Sequence, residues 1–168
     1  MLFPLLLFAF PLAALAIAAF GLTPATIPAL YLAAVTPALI RVDVREHRLP
    51  NRMVVPGLVV GLASALLGWT LLGCSPFPVL AGLAFGGSLW LLVLAGGIGM
   101  GDVKLAALIG FASPTPTVAV AAPVIAFLTA GVVAVVVLIR RGRSSRIAFG
   151  PFLLAGYFAA VVLALGGR

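Results

Sequence analysis

The sequence predicts an all-α fold: a polytopic membrane protein of six to seven transmembrane helices at about 20 residues per span. Three observations predict it. Of 168 residues, 64% are hydrophobic and 8% charged, against roughly a quarter charged in a soluble domain, so the charges cannot cover a water-facing surface. The apolar runs are long and continuous, with a mean hydropathy of +1.35, whereas the strands of a membrane barrel alternate. The arginines gather in two clusters between apolar runs, Arg41, Arg45, Arg48 and Arg52, then Arg140, Arg141, Arg143 and Arg146, as cytoplasmic loops do under the positive-inside rule.

Met1 to Phe20 reads as a first transmembrane helix rather than a cleaved signal, because no basic residue precedes it. Gly21 to Pro24 makes a turn. A second helix is expected from about Ala25 to Val42, with Pro28 and Pro37 as kink points, then an arginine-rich segment broken by Pro50. A third helix is expected from Met53 to Gly73, a turn with Pro76 and Pro78, and a fourth helix from Val79 to Ala95. Four glycines fall between Gly96 and Gly101. A fifth, short run covers Val103 to Ala112 and stops at Ser113-Pro114. It rises only about 16 Å, half the hydrocarbon core, so it must extend into the glycines, re-enter, or be shielded by protein. Helices six and seven are expected from Thr117 to Ile139 and from Ile147 to Leu165.

Both basic loops lie on one side only if the fifth run crosses. The N-terminus is then cytoplasmic, the C-terminus is outside, and Asp43, Asp102 and Lys104 fall near the cytoplasmic face of an inner membrane. The chain reads as one integral membrane domain over residues 1–168, with a motif-bearing core at about 25–166 and no internal repeat.

A net charge of +7 does not point to nucleic acid, since basic loops facing the lipid bilayer account for it. Cys74 is the single cysteine, so neither an intramolecular disulfide nor a cysteine zinc site can form. His47 is the single histidine, which leaves the serines without a plausible triad partner and no second imidazole for a metal. No cofactor or metal is implied.

The chain has three acidic residues, Asp43, Glu46 and Asp102, and carboxylates at membrane level mark functional sites. Read locally, Asp43 is equally a solvated loop charge, Asp102 a helix N-cap, and Glu46 a loop charge. Gly99 and Gly101 beside Asp102 permit close backbone approach, and Lys104 either snorkels or meets the acidic site. Taken together, the two aspartates suggest an aspartyl dyad. Two carboxylates close together cannot both ionise cheaply, so one serves as acid and the other as base toward a shared water.

Asp43 followed by Pro50-Asn51, then Gly99-Met100-Gly101-Asp102-Val103-Lys104-Leu105, then Phe149-Gly150-Pro151-Phe152, resembles the type IV prepilin peptidase family. These are membrane aspartyl proteases with a Gly-x-Gly-Asp motif. The resemblance implies Asp43 and Asp102 as the catalytic pair, with Gly99, Gly101, Lys104, Pro50 and Asn51 shaping the site. It implies a prepilin-like substrate with a cytoplasmic leader and an apolar helix, cleaved at the cytoplasmic face, usually just after a glycine. Long members carry a cytoplasmic insert with paired Cys-x-x-Cys motifs and methylate the new N-terminus. This chain has no such insert, and its short form resembles the peptidases of Flp (tight-adherence) pili, with preflagellin peptidases nearby. Phe149, Gly150 and Pro151 are expected to shape the start of the last helix, with Pro151 in its first turn, and not to act chemically. Two readings of other classes stand beside the peptidase: a small proton-coupled transporter and a non-catalytic pilus assembly factor. The oligomeric state and the particular prepilin are not encoded legibly.

Overall fold

A computed structural model describes residues 3–96, 99–141 and 148–167. The described residues form seven helices: α1 (Phe3–Phe20), α2 (Thr26–Glu46), α3 (Asn51–Leu72), α4 (Phe77–Leu94), α5 (Met100–Phe111), α6 (Pro116–Arg141) and α7 (Gly150–Gly166). Helices α2, α3, α4 and α6 are each long and apolar enough to cross a membrane, and α1 and α7 contribute shorter apolar stretches. With no strand among the described residues, the protein is an all-helical, polytopic membrane protein. The part of the second basic loop holding Arg143, Arg146 and the expected start of helix seven at Ile147 lies outside the described residues, as do Gly97 and Ile98 of the glycine run.

Three boundaries differ from expectation by three residues or more. α2 runs through Asp43 to Glu46 instead of ending at Val42. It stops because His47 takes a left-handed conformation (φ 51, ψ 36) and its N–H returns to the Asp43 carbonyl oxygen. α5 starts at Met100, three residues early, with Gly99 as its N-cap. α7 starts at Gly150, with Phe149 as N-cap and proline at the first positions, where a missing N–H is harmless.

The helices pair in sequence order, α1 on α2, α4 on α5 and α6 on α7, while α3 packs on α2 and α5. Without a hydrophobic driving force between helices in lipid, close packing needs small residues, and each seam has them. Gly86 meets Ala107, and Gly82 lies against Gly110 and Phe111. Those numbers ascend on α4 as they descend on α5, so the two helices are antiparallel. Gly156 of α7 sits against Ala122 and Ala126 of α6. Buried residues from all seven helices, among them Ala16, Leu32, Val54, Phe85, Leu108, Val118 and Tyr157, form one cluster.

The short α5 resolves the length problem by being shielded. Leu105, Ala106, Leu108, Ile109, Gly110 and Phe111 are all buried, and α3, α4 and α7 surround it. Its far end is fixed by the buried Tyr157 hydroxyl, which donates to the Ala112 carbonyl oxygen at 2.9 Å. Gly101 and Gly150, near the N-termini of α5 and α7, both lie against Leu49 of the α2–α3 loop, so α5 and α7 run parallel, with their N-termini at the end of the bundle where α2 stops and α3 starts.

Candidate active site

Asp43 occupies the last turn of α2 and is 4% exposed. A buried carboxylate needs donors, and the backbone supplies one: Gly150 N–H donates to Asp43 Oδ2 at 2.9 Å. The first turn of a helix leaves its N–H groups without intrahelical partners, so the start of α7 is suited to hold an anionic oxygen. Gly150 allows the approach, since a Cβ built there would lie 2.7 Å from Asp43 Oδ2. The solvated-loop reading of Asp43 is excluded by this burial.

Asp102 lies in the first turn of α5 and is only partly exposed. It is not the N-cap. Gly99 fills that position with extended backbone (φ −82, ψ 149), and its carbonyl accepts the Asp102 N–H at 3.1 Å. The Asp102 carboxylate turns back over this glycine, with Oδ2 3.6 Å from where a Gly99 Cβ would stand. Leu49 lies against Gly101, the residue before Asp102, and against Gly150, whose N–H holds Asp43. Two carboxylates carried by α2 and α5, far apart in sequence, thus face one region at one end of the bundle.

The Pro50-Asn51 pair starts α3. Pro50 is its N-cap, in extended conformation, and its carbonyl oxygen accepts N–H bonds from Met53 and Val54 at 3.0 and 3.2 Å. Asn51 Oδ1 accepts from Lys104 Nζ at 2.9 Å. Lys104 is therefore tied to α3 and links α3 to α5. Two positions along a helix from Asp102, it projects from a different face. Glu46, the last residue of α2 instead of a loop residue, and His47, its C-cap, are exposed. Among the described residues no three His, Cys, Asp or Glu side chains gather where a metal would be held.

Two contacts escape sequence reading. Gly150 acts on Asp43 directly, beyond shaping the start of α7. Leu49, from the α2–α3 loop, packs inward and lies against both Gly101 and Gly150. Its signal was a lone apolar residue in the run Arg45-Glu46-His47-Arg48-Leu49-Pro50-Asn51.

No curated protein and no solved structure matches the chain. The model of the type IV leader peptidase family matches residues 29–139. That stretch is well over half of the sequence and contains Asp43, Pro50, Asn51 and the Gly99–Lys104 turn. Both aspartates, and the α3–α5 link beside them, thus lie inside the matched region, and the chain belongs to the type IV leader peptidase family.

Proposed function

We propose that the protein is a membrane aspartyl endopeptidase that removes the leader of a pilin-like precursor by means of a water activated between Asp43 and Asp102. The carrying observation is the arrival of two carboxylates, from α2 and from α5, at one end of the bundle, one held by the start of α7 and the other next to Gly101, which Leu49 packs against together with Gly150. Water attacks the scissile carbonyl carbon while the ionised carboxylate takes its proton. The protonated carboxyl gives its proton to the carbonyl oxygen. Collapse of the tetrahedral diol breaks the C–N bond: the proton held by the base passes to the leaving amine, and a diol hydroxyl returns its proton to the carboxylate that served as the acid. No step draws on a metal or a cofactor.

The arginines support the orientation. Arg45, Arg48 and Arg52 are exposed around the site, and by the positive-inside rule this supports a cytoplasmic orientation of this end at the inner membrane. A substrate with a cytoplasmic leader and an apolar helix in the bilayer would meet it there. The short connections between the apolar runs and the single cysteine favour a Flp-like pilin precursor as substrate and cleavage without N-methylation.

The test is co-expression with a small pilin-like precursor from the same source, followed by mass measurement of the membrane fraction. Loss of the leader with the unaltered chain, and its retention with Asp43→Asn and with Asp102→Asn at equal protein levels, is the expected result. Normal processing by either variant would sink the dyad.

A further inference from the structure

The loop joining α2 to α3 reaches between the two aspartate-bearing segments. The left-handed backbone at His47 turns the chain so that Arg48 stays exposed while Leu49 points inward and packs on the core. On one side, a Cβ built on Gly101 would lie 2.9 Å from Leu49 Cβ. On the other, a Cβ built on Gly150 would lie 3.2 Å from Leu49 Cδ2 and 2.7 Å from Asp43 Oδ2. Leu49 thus touches α5 at the residue before Asp102 and α7 at the residue that holds Asp43.

This contact stands at the open end of a wedge. α5 and α7 run parallel and are joined at depth by the Tyr157–Ala112 hydrogen bond of 2.9 Å. At their N-terminal ends the side chain of Leu49 lies between them. Asp102 rides on α5, and Asp43 is bonded to α7. The spacing of the two helices at this end therefore fixes the spacing of the two carboxylates. Packed interiors transmit such changes in volume, because they have no slack to absorb them.

We propose that Leu49 is a positioning residue whose side chain sets the separation of Asp43 and Asp102. Its catalytic consequence rests on the leader-peptidase reading above; its geometric consequence needs no substrate. A smaller side chain lets the mouth of the wedge close or empty. A larger one forces it open.

The experiment uses the full chain, purified from membranes, as the unaltered protein and as Leu49→Ala, Leu49→Met and Leu49→Phe. The first measurement is kcat and KM on a leader-bearing pilin-like precursor. Misplacement by about 1 Å costs up to about a hundredfold in rate. Leu49→Ala should therefore lower kcat about tenfold or more with KM within about twofold, and Leu49→Met should recover most of it. The second places Asp43→Cys and Asp102→Cys together in a Cys74→Ser background and cross-links them with bifunctional thiol reagents of graded length. The reagent length of highest yield should shift in opposite directions for Leu49→Ala and Leu49→Phe. A residue that only supports the fold would reduce the amount of folded protein and leave both kcat per folded molecule and the length profile unchanged, and that outcome overturns the proposal. If the unaltered chain cleaves no precursor, the leader-peptidase reading fails, while the length profile still decides whether Leu49 sets the spacing.

Discussion

Gly150 donates its backbone N–H to Asp43 Oδ2 at 2.9 Å across 107 positions of sequence. The last helix is thereby made part of the environment of the first aspartate, although it contributes no ionisable side chain there. The bond also explains why glycine stands before Pro151. Proline serves the first turn of the helix, and the residue ahead of it must bring its N–H to a carboxylate with no side chain between them.

Gly150→Ala tests that relationship. Alanine favours helix over glycine by up to about 1 kcal/mol, so the substitution should leave the fold intact. Its Cβ would fall 2.7 Å from Asp43 Oδ2 and 3.2 Å from Leu49 Cδ2, and the short Asp43 side chain cannot avoid it without rotating away. Leader cleavage should fall about 10- to 100-fold, while the thermal midpoint of the detergent-solubilised protein stays within a few degrees. Cleavage at the unaltered rate would mean that the Asp43 position is not critical.

The Lys104–Asn51 bond predicts a weaker effect. It is solvent-exposed, and exposed charge-assisted contacts contribute about 0.2–1 kcal/mol. A double-mutant cycle on thermal unfolding with Lys104→Met and Asn51→Ala should return a coupling energy below about 1 kcal/mol. Because Lys104 turns toward α3 rather than toward the carboxylates, Lys104→Met should keep cleavage within about fivefold, the rate equivalent of 1 kcal/mol. A loss as deep as that of Asp102→Asn would instead give the ammonium a chemical role.

Much of this architecture was legible because length and hydropathy carry it. All seven expected helices are present, since an apolar run bounded by Gly21, Pro50, Pro76 or Ser113-Pro114 has few other states available in lipid. Hydropathy fails where a helix continues through polar residues. α2 runs through Arg41, Asp43 and Arg45 because the helical backbone leaves Arg45 in solvent while Asp43 turns inward to the Gly150 N–H, and what stops it is the backbone of His47. Gly99 and Gly101 look like breakers, yet the first is a cap and the second lies within α5, where Leu49 leaves no room for a Cβ. The two aspartates were identifiable as costly charges. Their partners were not, because Gly150 and Leu49 act through a backbone N–H and through bulk, and neither property leaves a chemical signature in sequence.

His47 is the one non-glycine residue with positive φ among the described positions. The left-handed region costs a β-carbon-bearing residue about 1–2 kcal/mol, and helix C-termini of this kind favour glycine. His47→Gly should therefore stabilise the protein by up to about 1 kcal/mol, read as a higher thermal midpoint. Since the imidazole is exposed and no chemistry is assigned to it, cleavage should persist. A fall in stability would show that the His47 side chain makes a compensating interaction.

Tyr157→Phe addresses the far end of α5. Tyr157 is fully buried, and its hydroxyl is the donor to Ala112 that fixes the last carbonyl region of α5 to α7. Removing the hydroxyl keeps the ring, including its edge-on packing against Phe158 at a centroid distance of 5.1 Å, and leaves the Ala112 carbonyl oxygen without that donor. A buried polar group left unsatisfied costs about 1–3 kcal/mol, so the thermal midpoint should drop measurably in detergent. The same loss loosens the closed end of the wedge that carries Asp102. Cross-linking of the Asp43→Cys, Asp102→Cys pair, in the Cys74→Ser background, should spread over a wider range of reagent lengths in Tyr157→Phe. A lower midpoint with an unchanged length profile would confine Tyr157 to stability and separate the depth of the bundle from the geometry of its site.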